Sequence, residues 1–156
     1  MRVWQNGRIV LQEEAHVSIA DRGLLLGDGL FETMAVYNAR VFDLDAHLER
    51  LASGLGVLGF VQAVDFEKLR FAIGHYLAAE EATSCVLRVT VTRGAGPRGL
   101  APPEAPLPAI FMTLSPMPAV RKIPLSLHVA TVTRRNEHSP LSRIKALPYL
   151  DNLLAL

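Results

Sequence analysis

The sequence predicts an α+β domain built as one sheet layer and one helix layer. Three observations carry this. Half of the 156 residues are hydrophobic and a fifth are charged, enough to bury a core. Apolar residues recur with period two in some segments and at helical spacing in two others. The segments run strands, two helices, strands, without the strict strand–helix alternation of a parallel doubly wound sheet.

The elements follow in chain order. Val3 to Val10 read as a hairpin, because Asn6-Gly7 lies between apolar flanks. Gly23, Gly27 and Gly29 mark a loop. Leu30 to Tyr37 then predict a strand with a tight turn near Asn38. Asp45 is a good N-cap for a helix of about 15 residues with Leu48, Leu51, Leu55 and Leu58 as its buried stripe. His47, Arg50 and Gly54 run along the margin of that face. A second helix follows Asp65, burying Phe66, Leu69, Ile73 and Leu77. From Ser84 to Arg93 the alternation puts Cys85, Leu87, Val89 and Val91 on one face and Arg88, Thr90 and Thr92 on the other. GAGPRGLAPPEAPLP is a loop, and Ala109 to Leu114 a strand. SPMPAVRKIP divides residues 1–118 from an incomplete second unit, 119–156, with a strand over Leu125–Thr133 and a polar loop to Arg143. A helix then starts at Pro148, with Leu150, Leu153 and Leu154 as its apolar face.

Composition narrows the function. A net charge of +1 leaves no single-sign field for a nucleic acid backbone or an anionic membrane. Cys85 is the one cysteine, so neither an intrachain disulfide nor a cysteine zinc cage can form. No stretch approaches the ~20 apolar residues of a membrane span, and the N-terminus lacks a signal-peptide pattern. A cytoplasmic protein without membrane or nucleic acid partners is expected.

Three side chains stand out for chemistry. Lys145 is one of three lysines, with Lys68 and Lys122. Its apolar neighbours Ile144, Ala146 and Leu147 would favour the free amine, and Tyr149 lies four residues on. The same spacing also suits a boundary lysine with its head in water. Arg50 can hold a phosphate, or pair on the surface with Glu49 or Glu67. Arg98 ends a glycine-bearing loop that lacks both the P-loop lysine and a following helix. Asp21, Asp28 and Glu32 read as a metal or acid/base set, or, for the two aspartates, as caps on loop amides. The five histidines have no metal-ligand spacing, and Cys85 reads as core.

Three blocks, ADRGLLLGDGLFETMAVYNARVFDLDAHLERL, VTRGAGPRGL and SRIKALPYLDNLLAL, resemble the class IV aminotransferases in order and rough spacing. The resemblance implies the D-amino acid aminotransferase-like fold and the cofactor pyridoxal 5′-phosphate. It implies that Lys145 carries the cofactor as an imine and moves the substrate proton. By the same resemblance Arg50 binds the cofactor phosphate and Tyr149 lies near the cofactor's phenolic oxygen. Arg98 meets a substrate carboxylate from a loop that in this family commonly crosses a homodimer interface, and Phe31 lies on the substrate side.

The strings GDGLFETM and TRGAGPRGL look most like the 4-amino-4-deoxychorismate lyase branch, which eliminates pyruvate and yields 4-aminobenzoate. D-amino acid aminotransferases carry a tyrosine where this chain has Phe31 and a histidine where it has Leu100. The alternatives are an aminotransferase for branched-chain or other amino acids, and a non-catalytic fragment or scaffold domain. Relatives often have asparagine where Pro148 stands. Most of the family's second domain would lie beyond Leu156. That domain supplies a carboxylate to the pyridine nitrogen and backbone amides to the phosphate, so the site within these residues is expected to be incomplete.

Overall fold

A computed structural model of the chain describes residues 1–119 and 123–156. Lys122 and the centre of the expected boundary therefore lie outside the described residues. A six-stranded sheet runs in the order β2-β1-β6-β5-β3-β4, and all its pairings are antiparallel. Its strands are β1 (Arg2–Gln5), β2 (Arg8–Leu11), β3 (Gly29–Tyr37), β4 (Arg40–Val41), β5 (Ser84–Thr92) and β6 (Ala109–Pro116). The helices are α1 (Arg22–Leu26), α2 (Leu44–Leu58), α3 (Phe66–Ala79) and α4 (Leu150–Leu154). The α+β expectation holds.

Both predicted turns form. Asn6 and Gly7 take φ of 47° and 93°, and Asn38 and Ala39 take 49° and 59°. Two successive positive-φ residues give the turn whose twist matches that of paired strands. The second turn folds β4 back on β3 as a two-residue strand, too short to leave a periodic signal.

In α2 and α3 the helical stripes are buried. Leu48, Leu51 and Leu55 of α2 pack with Leu69, Ile73, Tyr76 and Leu77 of α3. Both meet Leu30, Met34 and Val36 of β3, Leu87, Val89 and Val91 of β5 and Met112 of β6. Cys85 joins this core, and burial pushes its thiol pKa up. Fully burying one such aliphatic side chain contributes roughly 1.5–3 kcal/mol. Asp65 caps α3 by accepting from the Lys68 amide at 3.0 Å. The cap position of α2 is Asp43, and Asp45 sits in the first turn, where it pairs with Arg70.

Four expectations are corrected. The glycine-marked segment holds the short helix α1, because Asp21 accepts from the Leu24 amide and Gly27 closes the helix in the left-handed region. Leu125–Thr133 forms no strand: its alternating Leu125, Leu127 and Val129 are 68%, 92% and 89% exposed, and no described strand pairs with them. A period-two pattern makes a strand only where a ladder partner exists. The polar loop contains a 3-10 turn over Pro140–Arg143. Pro148 precedes α4 and packs over Gly27, where an added Cβ would lie 2.5 Å from its Cγ. The apolar positions of α4, Leu150, Leu153 and Leu154, are exposed.

The segment at Lys145 returns to the sheet. Phe31 N–H donates to the Lys145 carbonyl at 3.0 Å, and Leu147 N–H donates to the Gly29 carbonyl at 3.0 Å. This bridge, centred on Leu30 and Ala146, extends the β3 edge beyond the reach of β4. Gly54 of α2 makes room for it. A Cβ there would stand 2.6 Å from Leu30 Cδ1 and 3.5 Å from Ile144 Cβ. Among the described residues no helix is long and apolar enough to cross a membrane.

Candidate active site

Strand alternation decides what β3 shows to each side. Leu30, Glu32 and Met34 face the helices, and Phe31 and Thr33 face away. On the far face Phe31 pairs with Thr90 and Thr33 with Arg88. The β3 edge thus carries two neighbouring polar clusters, one on each side.

On the far face Phe31 is the floor. It is 6% exposed, since three groups cover it. Lys145 Nζ stands 4.4 Å from its ring centroid and the Arg88 guanidinium 3.8 Å. Tyr149 meets it edge-on at 5.1 Å. Lys145 Nζ also approaches the Tyr149 hydroxyl at 3.4 Å. The bridge at Ala146 places the lysine backbone, and the four-residue spacing brings the phenol back over the amine. Burial lowers the Arg88 pKa. Two cations therefore share one ring, and no carboxylate forms an ion pair with either among the described residues. Such a surface attracts an anion.

On the helix face Glu32 is 1% exposed and is held by α2. Arg50 donates from Nε to Oε1 at 2.7 Å and from Nη2 to Oε2 at 2.5 Å. His47 Nδ1 lies 2.8 Å from Oε2. An ionised carboxylate only accepts, so that nitrogen carries the proton. Arg50 is therefore paired with Glu32 rather than with Glu49 or Glu67. Its side chain remains 52% exposed, which turns the free end of the fork toward solvent. One turn after Arg50 in α2, Gly54 faces Leu30 and Ile144, so α2 and the Lys145 segment meet at the same β3 edge.

Burial works to raise the Glu32 pKa, and hydrogen bonds from Arg50 and His47 outweigh it, so the pKa falls below the ordinary 4.5. Asp28 likewise falls below 3.8, where Arg93 and Arg22 outweigh burial. A depressed carboxylate stabilises the fold above its unfolded pKa, and this is lost as pH drops through the folded value. Stability should hold steady from pH 7 to about pH 5 and decline below about pH 4.5. Thermal unfolding across that range checks this, with a smaller acid slope expected for Glu32→Gln.

The acidic residues thus act otherwise than as a metal or acid/base set. Among the described residues no three His, Cys, Asp or Glu are grouped to hold a metal. Asp21 caps α1 through the Leu24 amide rather than a loop amide, and it also accepts from the Thr92 hydroxyl at 2.7 Å. Asp28 instead binds two guanidinium groups, Arg22 at 2.9 Å and Arg93 at 2.7 Å. Lys145, Tyr149 and Phe31 come together and Arg50 stands beside them. Arg98 is exposed in the loop after β5 and makes no hydrogen bond or ion pair with them among the described residues. Arg88 escaped the sequence reading as a site residue. Alternation placed it off the core, but no local pattern marks the face that also receives Lys145.

The residues present fit pyridoxal phosphate on the side they line. An amine rests on an aromatic floor, a phenol touches it, and a half-free guanidinium waits nearby for an anion.

Comparison with known proteins bears on these clusters. A family model for amino-transferase class IV matches residues 29–156. The chain is 28% identical to a D-alanine aminotransferase of Staphylococcus epidermidis, over 99% of this chain and 55% of that protein. It is 32% identical to the 4-amino-4-deoxychorismate lyase of Pseudomonas aeruginosa, with a TM-score of 0.78 over 98% of this chain and 55% of that one. A hypothetical aminotransferase from Mycobacterium tuberculosis, solved in its PLP-bound form, matches with a TM-score of 0.62 and 26% identity. That match covers 76% of this chain and 40% of that one. The chain spans about half the length of the curated relatives it matches.

Proposed function

This chain belongs to amino-transferase class IV, and from that premise we propose that it is part of a pyridoxal 5′-phosphate enzyme with Lys145 as the lysine that carries the cofactor. The observation that carries this reading is the stack of Lys145 Nζ, Phe31 and Tyr149, with Arg50 beside it. Bound there, the cofactor would withdraw electrons from the amine-bearing carbon of a substrate.

The chain's own residues do the rest in this reading. Lys145 would hold the cofactor, and its amine would move the proton at that carbon. Tyr149 orients the amine through its hydroxyl, and the Phe31 ring keeps water from below it. Glu32 and His47 hold Arg50 so that its free Nη1 can meet the phosphate. Arg88, and Arg98 from its loop, bind substrate carboxylates. Among the described residues Arg98 makes no hydrogen bond or ion pair with Lys145, Phe31 or Tyr149 within one copy. A homodimer in which the loop serves the neighbouring site is accordingly part of the proposal.

For the reaction we favour elimination of pyruvate from 4-amino-4-deoxychorismate to give 4-aminobenzoate. The strings GDGLFETM and TRGAGPRGL and the 32% identity to the Pseudomonas lyase support it. An aminotransferase is the second reading, favoured by the match to the D-alanine enzyme over 99% of the chain.

The test supplies the full-length protein with 4-amino-4-deoxychorismate and no keto acid. Pyruvate and 4-aminobenzoate should appear in equal amounts. Turnover of D-alanine or L-leucine only when 2-oxoglutarate is present would replace the lyase with the second reading. No turnover, together with no cofactor fixed to Lys145 by borohydride, would refute the enzyme reading itself.

A further inference from the structure

Arg22 has no part in the site described above, and its guanidinium is among the best-tethered groups in the molecule. The residue is 5% exposed. Its Nε donates to Asp28 at 2.9 Å. Its Nη1 donates to the carbonyls of Gly99 at 3.1 Å and Ala101 at 3.2 Å, and its Nη2 to that of Leu100 at 2.9 Å. Three consecutive carbonyls thus converge on one buried cation, directly after Arg98.

Convergence of that kind needs an unusual backbone. Gly99 takes φ +115°, and a Cβ there would meet nothing within 4 Å. The demand for glycine at this position is conformational, not steric. The clamp is itself braced from behind. Asp28 also accepts from Arg93, and Arg93 donates to the Leu58 carbonyl at the end of α2 and stacks on Phe60 at 4.3 Å. The Arg22 amide donates to the Gly94 carbonyl at 2.9 Å at the other end of the loop. A chain of charge-assisted bonds therefore connects the helix layer to the backbone that follows Arg98.

We propose that Arg22 is the positioning residue of the Arg98 loop, fixing residues 99–101 so that the Arg98 side chain is presented ready to meet a carboxylate. An exposed loop that must order on each encounter spends binding energy on that ordering. A cation holding three of its carbonyls has already ordered it. This rests on the reading that Arg98 contacts substrate, but the loop-fixing step is tested without substrate.

Trypsin provides the test, since the Arg98–Gly99 bond is itself a tryptic site. In the full-length protein, Arg22→Ala should speed cleavage after Arg98 by about tenfold or more, the expected effect of losing even one charge-assisted hydrogen bond. Cleavage after Arg134, exposed in its polar loop, is the internal reference and should not change. Asp28 keeps Arg93 as its partner, so the substitution strands no buried charge. If both sites accelerate together, the fold has loosened, and Arg22→Lys decides the matter because it keeps a cation for Asp28 and removes the fork that reaches three carbonyls. Selective cleavage after Arg98 in either variant supports the proposal. An unchanged ratio of the two cleavages in both variants overturns it.

Kinetics separate the substrate reading. With whichever of 4-amino-4-deoxychorismate, D-alanine or L-leucine is turned over, Arg22→Ala should raise KM about tenfold and lower kcat less. In an Arg98→Ala background Arg22→Ala should add little. If Arg98→Ala leaves KM unaltered, the substrate role of Arg98 falls, while the ratio of cleavage rates still decides the role of Arg22.

Discussion

Borohydride reduction of the Lys145→Ala protein is expected to fix no pyridoxal phosphate, while Lys68→Ala retains a full equivalent at position 145. The difference follows from surroundings. Lys68 is 86% exposed by side chain and paired with Asp65 at 3.0 Å, and it stands over no aromatic ring among the described residues. Lys145 sits over an aromatic floor with the Arg88 guanidinium on the same ring. The Tyr149 hydroxyl stands 3.4 Å from the amine, so a cofactor ring arriving at this face would meet Lys145 between aromatic walls. The effect is all-or-none at the level of peptide mapping. Label on Lys68 in the Lys145→Ala protein, at the stoichiometry of the parent, would sink the assignment. Far-ultraviolet circular dichroism should be unchanged, because the bridge to β3 uses the backbone of residues 145–147 and not the amine.

Replacing Glu32 by alanine should cost about 2–3 kcal/mol of stability and also weaken cofactor retention. Removing one partner from a fully buried ion pair costs roughly 3–5 kcal/mol. Here the cations can partly rehydrate, since Arg50 is 52% exposed and His47 19% by side chain. The lower figure is therefore expected, seen as a fall of about 5–10 °C in the unfolding midpoint. The second effect is specific. Without the carboxylate, Arg50 loses the two bonds that aim its free end, and pyridoxal phosphate should dissociate about tenfold more readily. Glu32→Ala that destabilises the protein yet keeps the parental affinity for cofactor would assign Glu32 a purely structural part.

Glu32 also shows where sequence reasoning reached and where it stopped. Arg50 was legible as a site residue because it lies on the margin of a helical stripe within a motif. Its partner was not, because Glu32 sits in the preceding strand and only the packing of α2 on β3 joins them. The same holds for Arg22, whose donors meet carbonyls 77 to 79 residues away. The hairpin at Asn6-Gly7 and the cap at Asp65 were readable for the opposite reason, since turn and cap chemistry is contained within four residues. Alternation over Leu125–Thr133 misled, because period two reports a willingness to pair and says nothing of whether a neighbour exists.

The strand order has a consequence for how the molecule comes into being. The β1–β2 hairpin is synthesised first, yet its neighbour in the sheet is β6, and the Asn6 side chain accepts from the Ile110 amide across a separation of 104 residues. The β3 edge waits longer still for the stretch around Ala146. Closing such distant pairings is slow, and edges left open in the meantime invite wrong partners. The helices and the β3–β4 turn can form early, from contacts near in sequence. The amine is made after all six strands of the sheet. A ribosome-bound chain stopped short of Lys145 would thus present this sheet with the chemistry still absent and part of the β3 edge open to wrong partners.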